Sequence, residues 1–553
     1  MQISLGIHVG HDRGACIIKD QKVVGATAQE RLDRKKYSTS PSLPYVAIDK
    51  LLHFCNIGMS DVSCIGLSYD GIEGTSFLDL YQREFFAHYN CEYIPFYAVC
   101  HHDAHAYSAF FSSGFSDSLV FVADGGGDYI GGMQEAESLY FGKNGRVQCV
   151  EKRLQNPPVR RIGDRVNYIL PNMPFVIRNA EISLGRKYEQ VTHLLNFGWG
   201  EAGKTMGIAS YGNPYVDFKP PECRGLDFSL KYADLLGQVF SKFFFSGKSF
   251  AEFIEEENKN IAATAQHLVE ETIVSLINGF FEKYPCRNLC LAGGLFLNCL
   301  TNQKVVDKCF PEKIFIFPAA GDDGQAIGCA YYAYSYHFGQ KGAFEIQLPY
   351  LGIDYPECEI RKVLDEKNLT YEVHDDNALA ALVAEYISQD KIVALHRGRT
   401  EIGPRALCHR SILANPTNPD MKDILNHRVK HRESFRPFAP TVTQEDQYTY
   451  FDLQCSSDYM LFAAKVKPAY QQALPAITHV DGTARVQAIS KRSDAFIHCV
   501  LEGLKQRTGF PIVLNTSFNV AGQPIVESPM DAVQTFLVTD IDILVIGNCL
   551  VAK

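Results

Sequence analysis

Apolar and polar positions alternate in short runs at the start of the chain. Ile3–Val9, Gly14–Lys19 and Val23–Ala28 contain β-branched residues and are separated by polar turns such as Lys19-Asp20-Gln21-Lys22. This pattern predicts three consecutive antiparallel strands. Leu43–Cys55 then reads as a helix. A second opening strand, Ser118–Asp124, ends in an acidic residue and runs into Gly125-Gly126-Gly127-Asp128. Ile261–Tyr284 has few breakers and helically spaced apolar residues, which predicts a long amphipathic helix. Asn288–Ala292 is a strand that leads through Gly293-Gly294 to a helix from Leu295. Lys313–Phe317 leads through Gly321-Asp322-Asp323-Gly324 to a helix from about Gln325. Gln347–Pro356 carries two prolines and a glycine and reads as a domain linker. After it, Asn377–Ser388 looks helical and Ile392–His396 strand-like.

Repeated strand–turn–helix units predict an α/β fold. The first opening has the element order of an RNase H-like unit, which is duplicated in the actin and sugar-kinase superfamily, and the second restarts it. Two domains are expected, residues 1–346 and 347–553.

Composition narrows the classes. The 553 residues are 46% hydrophobic and 21% charged, which excludes a disordered or collagen-like chain. With 53 Lys+Arg against 63 Asp+Glu the formal charge is −10, which argues against bulk nucleic acid and anionic membrane surfaces as partners. The 17 cysteines include no C-x-x-C, so zinc ribbons and thioredoxin-type centres lack support and reduced thiols are expected. Met1–Gly6 has no basic n-region, and no stretch of about 18 apolar residues occurs. A soluble cytoplasmic protein is the expectation.

His101 and His105 stand four apart and could share one divalent ion on a helix face. Spacing alone decides little: chance placement of 17 histidines gives about 0.5 such pairs, and His427/His431 repeat the spacing among cations. Surface or capping histidines remain the alternative. Asp124 and Asp322 lie at strand ends beside glycines, where α/β proteins bind ligands, though each could simply cap a turn. Together, two carboxylates and two imidazoles would suit iron, zinc or manganese. Gly293-Gly294-x-x-x-Asn298 could let a phosphate or ribose approach the backbone. Residues 397–436 are the strongest local anomaly. Nine Lys/Arg, among them Arg405, Arg410, Lys430 and Arg436, face four acids, giving +5 and leaving −15 for the rest. Guanidinium forks beside Gly403-Pro404 and Arg436-Pro437 suggest a phosphate pocket; a solvated basic face is the other reading. Ile512–Asn519 ends a strand in amides and hydroxyls that could orient a small polar substrate.

The joint pattern resembles the NodU/CmcH family of O-carbamoyltransferases, which includes nodulation and tobramycin carbamoyltransferases. The matching stretches run end to end. They are Gly6-Ile-His-x-x-His11-Asp12, Glu30-Arg31-x-x-Arg34-x-Lys36, His101-His102-x-x-His105-Ala106, Asp124-Gly125 and Gly203-Lys204-x-Met206-Gly207, then Gly293-Gly294-x-x-x-Asn298 and Gly321-Asp322. In the second domain they are Gly403-Pro404-Arg405-Ala406-Leu407-x-x-Arg410-Ser411-Ile412, Lys430-x-Arg432-Glu433-x-x-Arg436-Pro437 and Leu514–Asn519. The resemblance implies a duplicated RNase H-like N-terminal domain and a YrdC-like C-terminal domain. The latter would join carbamoyl phosphate and ATP, with Mg2+, into carbamoyl-adenylate, using Arg405, Arg410, Lys430, Arg436, Arg485, Asn515 and Ser517. In the former, His101, His105, Asp124 and Asp322 would hold one divalent metal, iron for choice, and Gly125, Gly293, Gly294 and Asn298 would bind the adenylate. His11 would act as acid/base and Lys36 as electrostatic clamp in carbamoyl transfer. Two departures stand out: Cys408 where relatives carry glycine, and Asp103, which would place a carboxylate behind the metal ligands.

The expected activity is ATP-dependent transfer of a carbamoyl group to a hydroxyl of a small molecule or glycan, with loops within 150–200 lining the acceptor pocket. The expected partners are that acceptor and, at most, a second copy in a homodimer, with no nucleic acid and no membrane. A tRNA-modifying threonylcarbamoyl relative and a non-catalytic ATP-binding scaffold are the alternatives.

Overall fold

Missing side chains set how the sheets and helices meet. Gly6 and Gly66 stand opposite each other in the parallel strands Ile3–Val9 and Cys64–Tyr69. A Cβ on Gly6 would lie 1.9 Å from the Ala326 carbonyl oxygen, and one on Gly66 2.1 Å from that of Cys329. The helix Gln325–Phe338 therefore rests its main chain on the strand pair. On another side of that helix, a Cβ on Gly328 would fall 1.8 Å from the Ala104 carbonyl of the helix His101–Ser113. The helix Gln325–Phe338 is thus locked to both neighbours at main-chain distance.

The computed structural model describes residues 1–69, 76–156, 176–180, 182–215, 223, 225–228, 232–339 and 349–553. Within the loops 150–200 expected to line an acceptor pocket, 157–175 and Glu181 lie outside the described residues, as do Gln347 and Leu348 of the expected linker. The chain divides into two compact units: Met1, Gly10–Val62 and Gln347–Lys553 form one, Gln2–Val9 and Ser63–Ile346 the other. One boundary is Ile346/Gln347. The other two fall inside the stretch that the sequence reads as a single domain, because residues 10–62 are tied to the C-terminal segment. Ala26 N donates to Leu351 O at 2.9 Å. Arg31 Nη2 reaches Gly403 O at 2.7 Å, Arg34 Nη1 reaches Ile525 O at 2.6 Å, and Arg399 Nη2 reaches Val24 O at 2.9 Å.

The unit of Gln2–Val9 and Ser63–Ile346 is mixed α/β. Ile3–Val9, Cys64–Tyr69 and Phe96–Ala98 run parallel. A second sheet has the order Val176–Ala180, Arg146–Gln155, Met133–Lys143, Asp117–Ala123, Asn288–Ala292, Lys313–Ile316. Its last three strands are again parallel. The helix Phe250–Lys283 begins eleven residues before the apolar run at Ile261, behind a Ser249/Glu252 capping box. After Gly293-Gly294 the chain makes a 3-10 turn, Gly294–Leu297, and the helix starts only at Cys299. Asn298 explains the delay: it caps that helix by accepting from Thr301 N.

The other unit has an eight-stranded mixed sheet in the order Glu372–Val373, Cys549–Ala552, Ile543–Ile546, Val393–His396, Arg410–Ala414, Ile512–Ser517, Ala439–Thr443, Gln487–Ile489. One face buries Leu379, Val383, Val500 and Leu504 of the helices Asp376–Ser388 and Ala495–Thr508. The opposite face packs around Ile412, Leu514, Phe518 and Phe536. Gly14–Lys19 and Lys22–Ala28 form an antiparallel hairpin in this unit. Among the described residues no helix is long and apolar enough to cross a membrane.

Gly328→Ala is expected to lower the urea unfolding midpoint by an amount equivalent to about 2–3 kcal/mol, since neither backbone at that contact can yield cheaply. An unchanged midpoint would contradict the main-chain packing.

Candidate metal centre and cation cluster

Four side chains converge in the Gln2–Val9 and Ser63–Ile346 unit. His101 and His105 occupy successive turns of the helix His101–Ser113. Asp124 follows the strand Asp117–Ala123, and Asp322 opens the 3-10 turn that enters the helix Gln325–Phe338. His101 Nε2 lies 3.2 Å from Asp124 Oδ2 and 3.3 Å from Asp322 Oδ1. His105 Nε2 lies 3.2 and 3.1 Å from the same two oxygens. All four donor atoms fall within 4.8 Å of one another. Ligands about 2.1 Å from one tetrahedral ion would be roughly 3.4 Å apart, so the donor set fits a single divalent ion. Burial lowers the His101 pKa, but Asp322 and Asp124 outweigh it and raise it well above the usual range. The paired carboxylates demand positive charge at the imidazole edges, which a divalent ion supplies. Two imidazoles and two carboxylates suit several first-row metals.

The surroundings hold these groups in place. Asp124 Oδ1 accepts from Gly125 N at 2.7 Å and Gly294 N at 3.2 Å, which leaves Oδ2 for the imidazoles. Gly293 has φ +97°, and a Cβ there would sit 2.2 Å from Ala123 O. His101 N donates to Asp128 Oδ2 at 2.8 Å, and His101 O accepts from Gln325 Nε2 at 3.2 Å. Burial, reinforced by Glu135, pushes the Asp128 carboxyl up to about 7. His8, buried on the first strand, has Nδ1 2.9 Å from Ser68 Oγ and its ring 6.1 Å from that of His101. Sequence reasoning misses His8, although it lies within the matched Gly6-Ile-His stretch. His102 faces away: Nδ1 is 2.7 Å from Ser138 Oγ, and burial pushes it down to about 3, so it stays neutral.

Asp103 does not stand behind the ligands as expected. Its carboxylate accepts from Tyr140 OH at 2.6 Å and lies 3.6 Å from Lys152 Nζ. Two residues along a helix amount to about 200° of rotation, so Asp103 looks away from His101 and His105. Cys100, Asp128 and Glu135 also cluster, but Lys152 pairs with Glu135 there and provides the cation itself. Asn298 is engaged at both ends, donating to Gln266 Oε1 at 2.8 Å and capping the next helix.

The other unit holds His11, Lys36 and the cationic residues. His11 Nδ1 lies 3.1 Å from Asp12 Oδ2 with its side chain 33% exposed. Lys36 sits over the Tyr37 ring at 4.8 Å. Their loops are joined by Asp12 N to Tyr37 O at 2.8 Å. Lys430, Arg432, Arg436 and Arg485 form a cluster of like charge. Burial, then Arg432 and Arg436, drives the Lys430 pKa well below that of an ordinary lysine. Burial, then Arg436 and Arg485, pushes Arg432 down to about 9, with Glu433 the opposing acid. Arg432 lies within a matched stretch, but only the tertiary contacts single it out. Lys430 Nζ bonds the Ser517 carbonyl and also reaches Asn519 Oδ1 at 2.9 Å, fixing the turn after the strand Ile512–Ser517. Arg410 is fully buried, with Nη1 donating to Gly398 O at 3.0 Å and Arg397 O at 3.2 Å, so its guanidinium serves the fold. Arg405 is half-buried. Asn515 belongs to a buried polar network with Thr441, Gln487 and Cys408.

The fold and these two clusters describe an α/β protein with four side chains that could hold a divalent ion and a separate group of cations. Comparison with known families is specific. A carbamoyltransferase N-terminus profile matches residues 89–331, and a carbamoyltransferase C-terminus profile matches 384–553. Nodulation protein NolNO of Sinorhizobium fredii is 32% identical over 98% of this chain and 79% of its own length. Nodulation protein NolO of Bradyrhizobium diazoefficiens is 34% identical over 82% of this chain and 78% of its own. Among solved structures, full-length HypF in a phosphate- and nucleotide-bound form aligns with 62% of this chain and 47% of its own, at 13% identity and a TM-score of 0.42. The chain belongs to the carbamoyltransferase family and is an enzyme of the O-carbamoyltransferase type.

Purified protein is expected to carry about one divalent ion per chain by mass spectrometry of metal content. His105→Ala and Asp322→Ala should lose it and His102→Ala should keep it; metal retained in all three would refute the centre. A second expectation concerns Lys430. Its lowered pKa means that its positive charge disappears as pH rises, at a lower pH than for an ordinary lysine. Sulfate, whose own charge is constant, should therefore bind progressively more weakly as pH rises through that value. Calorimetric titration should show that slope in the wild type and a much flatter one in Lys430→Arg.

Proposed function

We propose that the enzyme makes carbamoyl-adenylate from carbamoyl phosphate and ATP and transfers the carbamoyl group to a hydroxyl of a small molecule or glycan. The observation that carries this reading is the like-charge cluster of Lys430, Arg432, Arg436 and Arg485, in which burial and the neighbouring cations lower the pKa values of Lys430 and Arg432. Gathering like charges where water is scarce is costly unless an anion completes the cluster. Two phosphorylated substrates would do so, and the cluster would offset their mutual repulsion. Release of phosphate from carbamoyl phosphate to water leaves carbamate. A carbamate oxygen attacks the ATP α-phosphorus, and pyrophosphate departs. The acceptor oxygen then attacks the carbamoyl carbon, AMP leaves, and the hydroxyl proton goes to a base, for which His11 is the candidate. Lys36 would offset the charge that develops on the adenylate oxygens. A divalent ion at the four-ligand centre would supply Lewis-acid polarisation of phosphate oxygens. The repeated parallel strand triplet and the eight-stranded mixed sheet support the reading of a duplicated RNase H-like part and a YrdC-like part.

Incubation with carbamoyl phosphate, ATP and Mg2+ should release pyrophosphate, and a carbamoylated acceptor should gain about 43 Da, the replacement of one hydrogen by a carbamoyl group. Arg436→Met should lower pyrophosphate release about a hundredfold, in line with loss of a charged contact. No carbamoyl-phosphate-dependent pyrophosphate from metal-loaded protein would overturn the reading.

A further inference from the structure

The helix Tyr232–Ser246 and the start of the helix Phe250–Lys283 form a hairpin through Gly247-Lys248-Ser249. Its inner side is packed. Val239 and Phe253 are buried, and Phe243 lies edge-on to Phe250 at 5.2 Å and tilted against Phe253 at 5.7 Å. The outer side is not. Phe240 stacks on Phe250 at 6.3 Å, yet these two residues remain 42% and 38% exposed. Phe244 is 79% exposed and Phe245 90%. Helical geometry gives the reason: Phe245 stands about 200° around the axis from Phe243, so it points away from the packed side. A lone exposed aromatic is ordinary, but four exposed phenylalanines between positions 240 and 250 form a patch of the kind that marks a contact surface.

Area and charge say what fits it. At roughly 200 Å² for a whole aromatic side chain, these rings leave on the order of 500 Å² uncovered. Two such patches face to face would remove about 1,000 Å² from water, the size at which specific association begins. The border of the patch carries both signs. Lys248, in the turn, pairs with Glu256, which lies in the run Glu255-Glu256-Glu257 near the start of the second helix. Lys242 lies over the Tyr215 ring at 3.9 Å, and the Tyr215 hydroxyl donates to Glu257 at 2.7 Å. A two-fold axis brings the lysines of one copy to the glutamates of the other and the reverse, so a border of mixed sign is self-complementary. The same glutamates repel an anionic lipid surface.

We propose that this phenylalanine hairpin is the contact surface for a second copy of the chain, in a symmetric dimer that buries Phe240, Phe244, Phe245 and Phe250 of both copies. Each copy uses the same patch, so the contact closes at two and leaves no patch over. The inference is independent of the carbamoyl phosphate reading.

The test is molar mass by light scattering and sedimentation velocity, on the full chain at about 1–100 μM, the range in which an interface at the lower size limit assembles. Wild type should rise from one chain mass toward two as concentration increases, and stop there. Phe244→Glu/Phe245→Glu should weaken the dimer at least about a hundredfold, because two carboxylates per copy would lose water without a partner. At concentrations where both proteins are monomers its thermal midpoint should match that of wild type, since the monomer leaves both rings in water, and its metal content should be unchanged. Tyr93→Glu, which charges an exposed aromatic elsewhere, should leave the dimer intact. A wild type that stays monomeric throughout, a dimer that survives Phe244→Glu/Phe245→Glu, or growth beyond two chains overturns the inference. A monomer that floats with vesicles of phosphatidylcholine and phosphatidylglycerol overturns it in favour of a lipid surface.

Discussion

Main-chain contact at glycine is the constraint on which the metal centre depends. Gly6, Gly66 and Gly328 let the helix Gln325–Phe338 approach two strands and a second helix closer than any side chain permits. That helix follows the turn carrying Asp322, and its Gly328 face touches the helix carrying His101 and His105. Asp322 is thus brought to the two histidines by close backbone contact, while Asp124 reaches them from a strand end where Gly293 lets the main chain pass Ala123. Close packing transmits such placement faithfully, since interiors yield little.

The C-terminal sheet is organised by the opposite device, like charges gathered in one place. Lys430, Arg432, Arg436 and Arg485 raise one another's electrostatic energy. Elsewhere in the same unit the cations are matched: Arg410 is surrounded by carbonyls, and Arg428 pairs with Asp542 at 3.0 Å. The contrast separates arginines that build the fold from those massed against one another, a distinction that charge counts along the chain do not make.

Much of the fold was legible in periodicity. The strands Ile3–Val9, Gly14–Lys19 and Asn288–Ala292 appear with the limits their apolar runs suggest, since an alternating run has one way to be buried. Errors fall where local and tertiary forces compete. The helix Phe250–Lys283 extends past its apolar stretch because a capping box, not hydrophobicity, begins it. The stretch after Gly293-Gly294 turns before becoming a helix because Asn298 caps the later start. Residues 10–62 group with the C-terminal segment because the arginines at 31 and 34 bond carbonyls 372 and 491 residues away.

The sequence alone determined the α/β class and the family, and its resemblance pointed to the four side chains that the fold brings within 4.8 Å of one another, because a few chemistries need those residue types in that order. It could not tell Arg410 from Arg432, or see that Asp103 turns aside and His8 turns in. Those outcomes depend on which carbonyls, carboxylates and ring edges surround a side chain once distant segments meet. Desolvation and Coulomb interaction act over a few ångströms of space, and distance along the chain does not encode them.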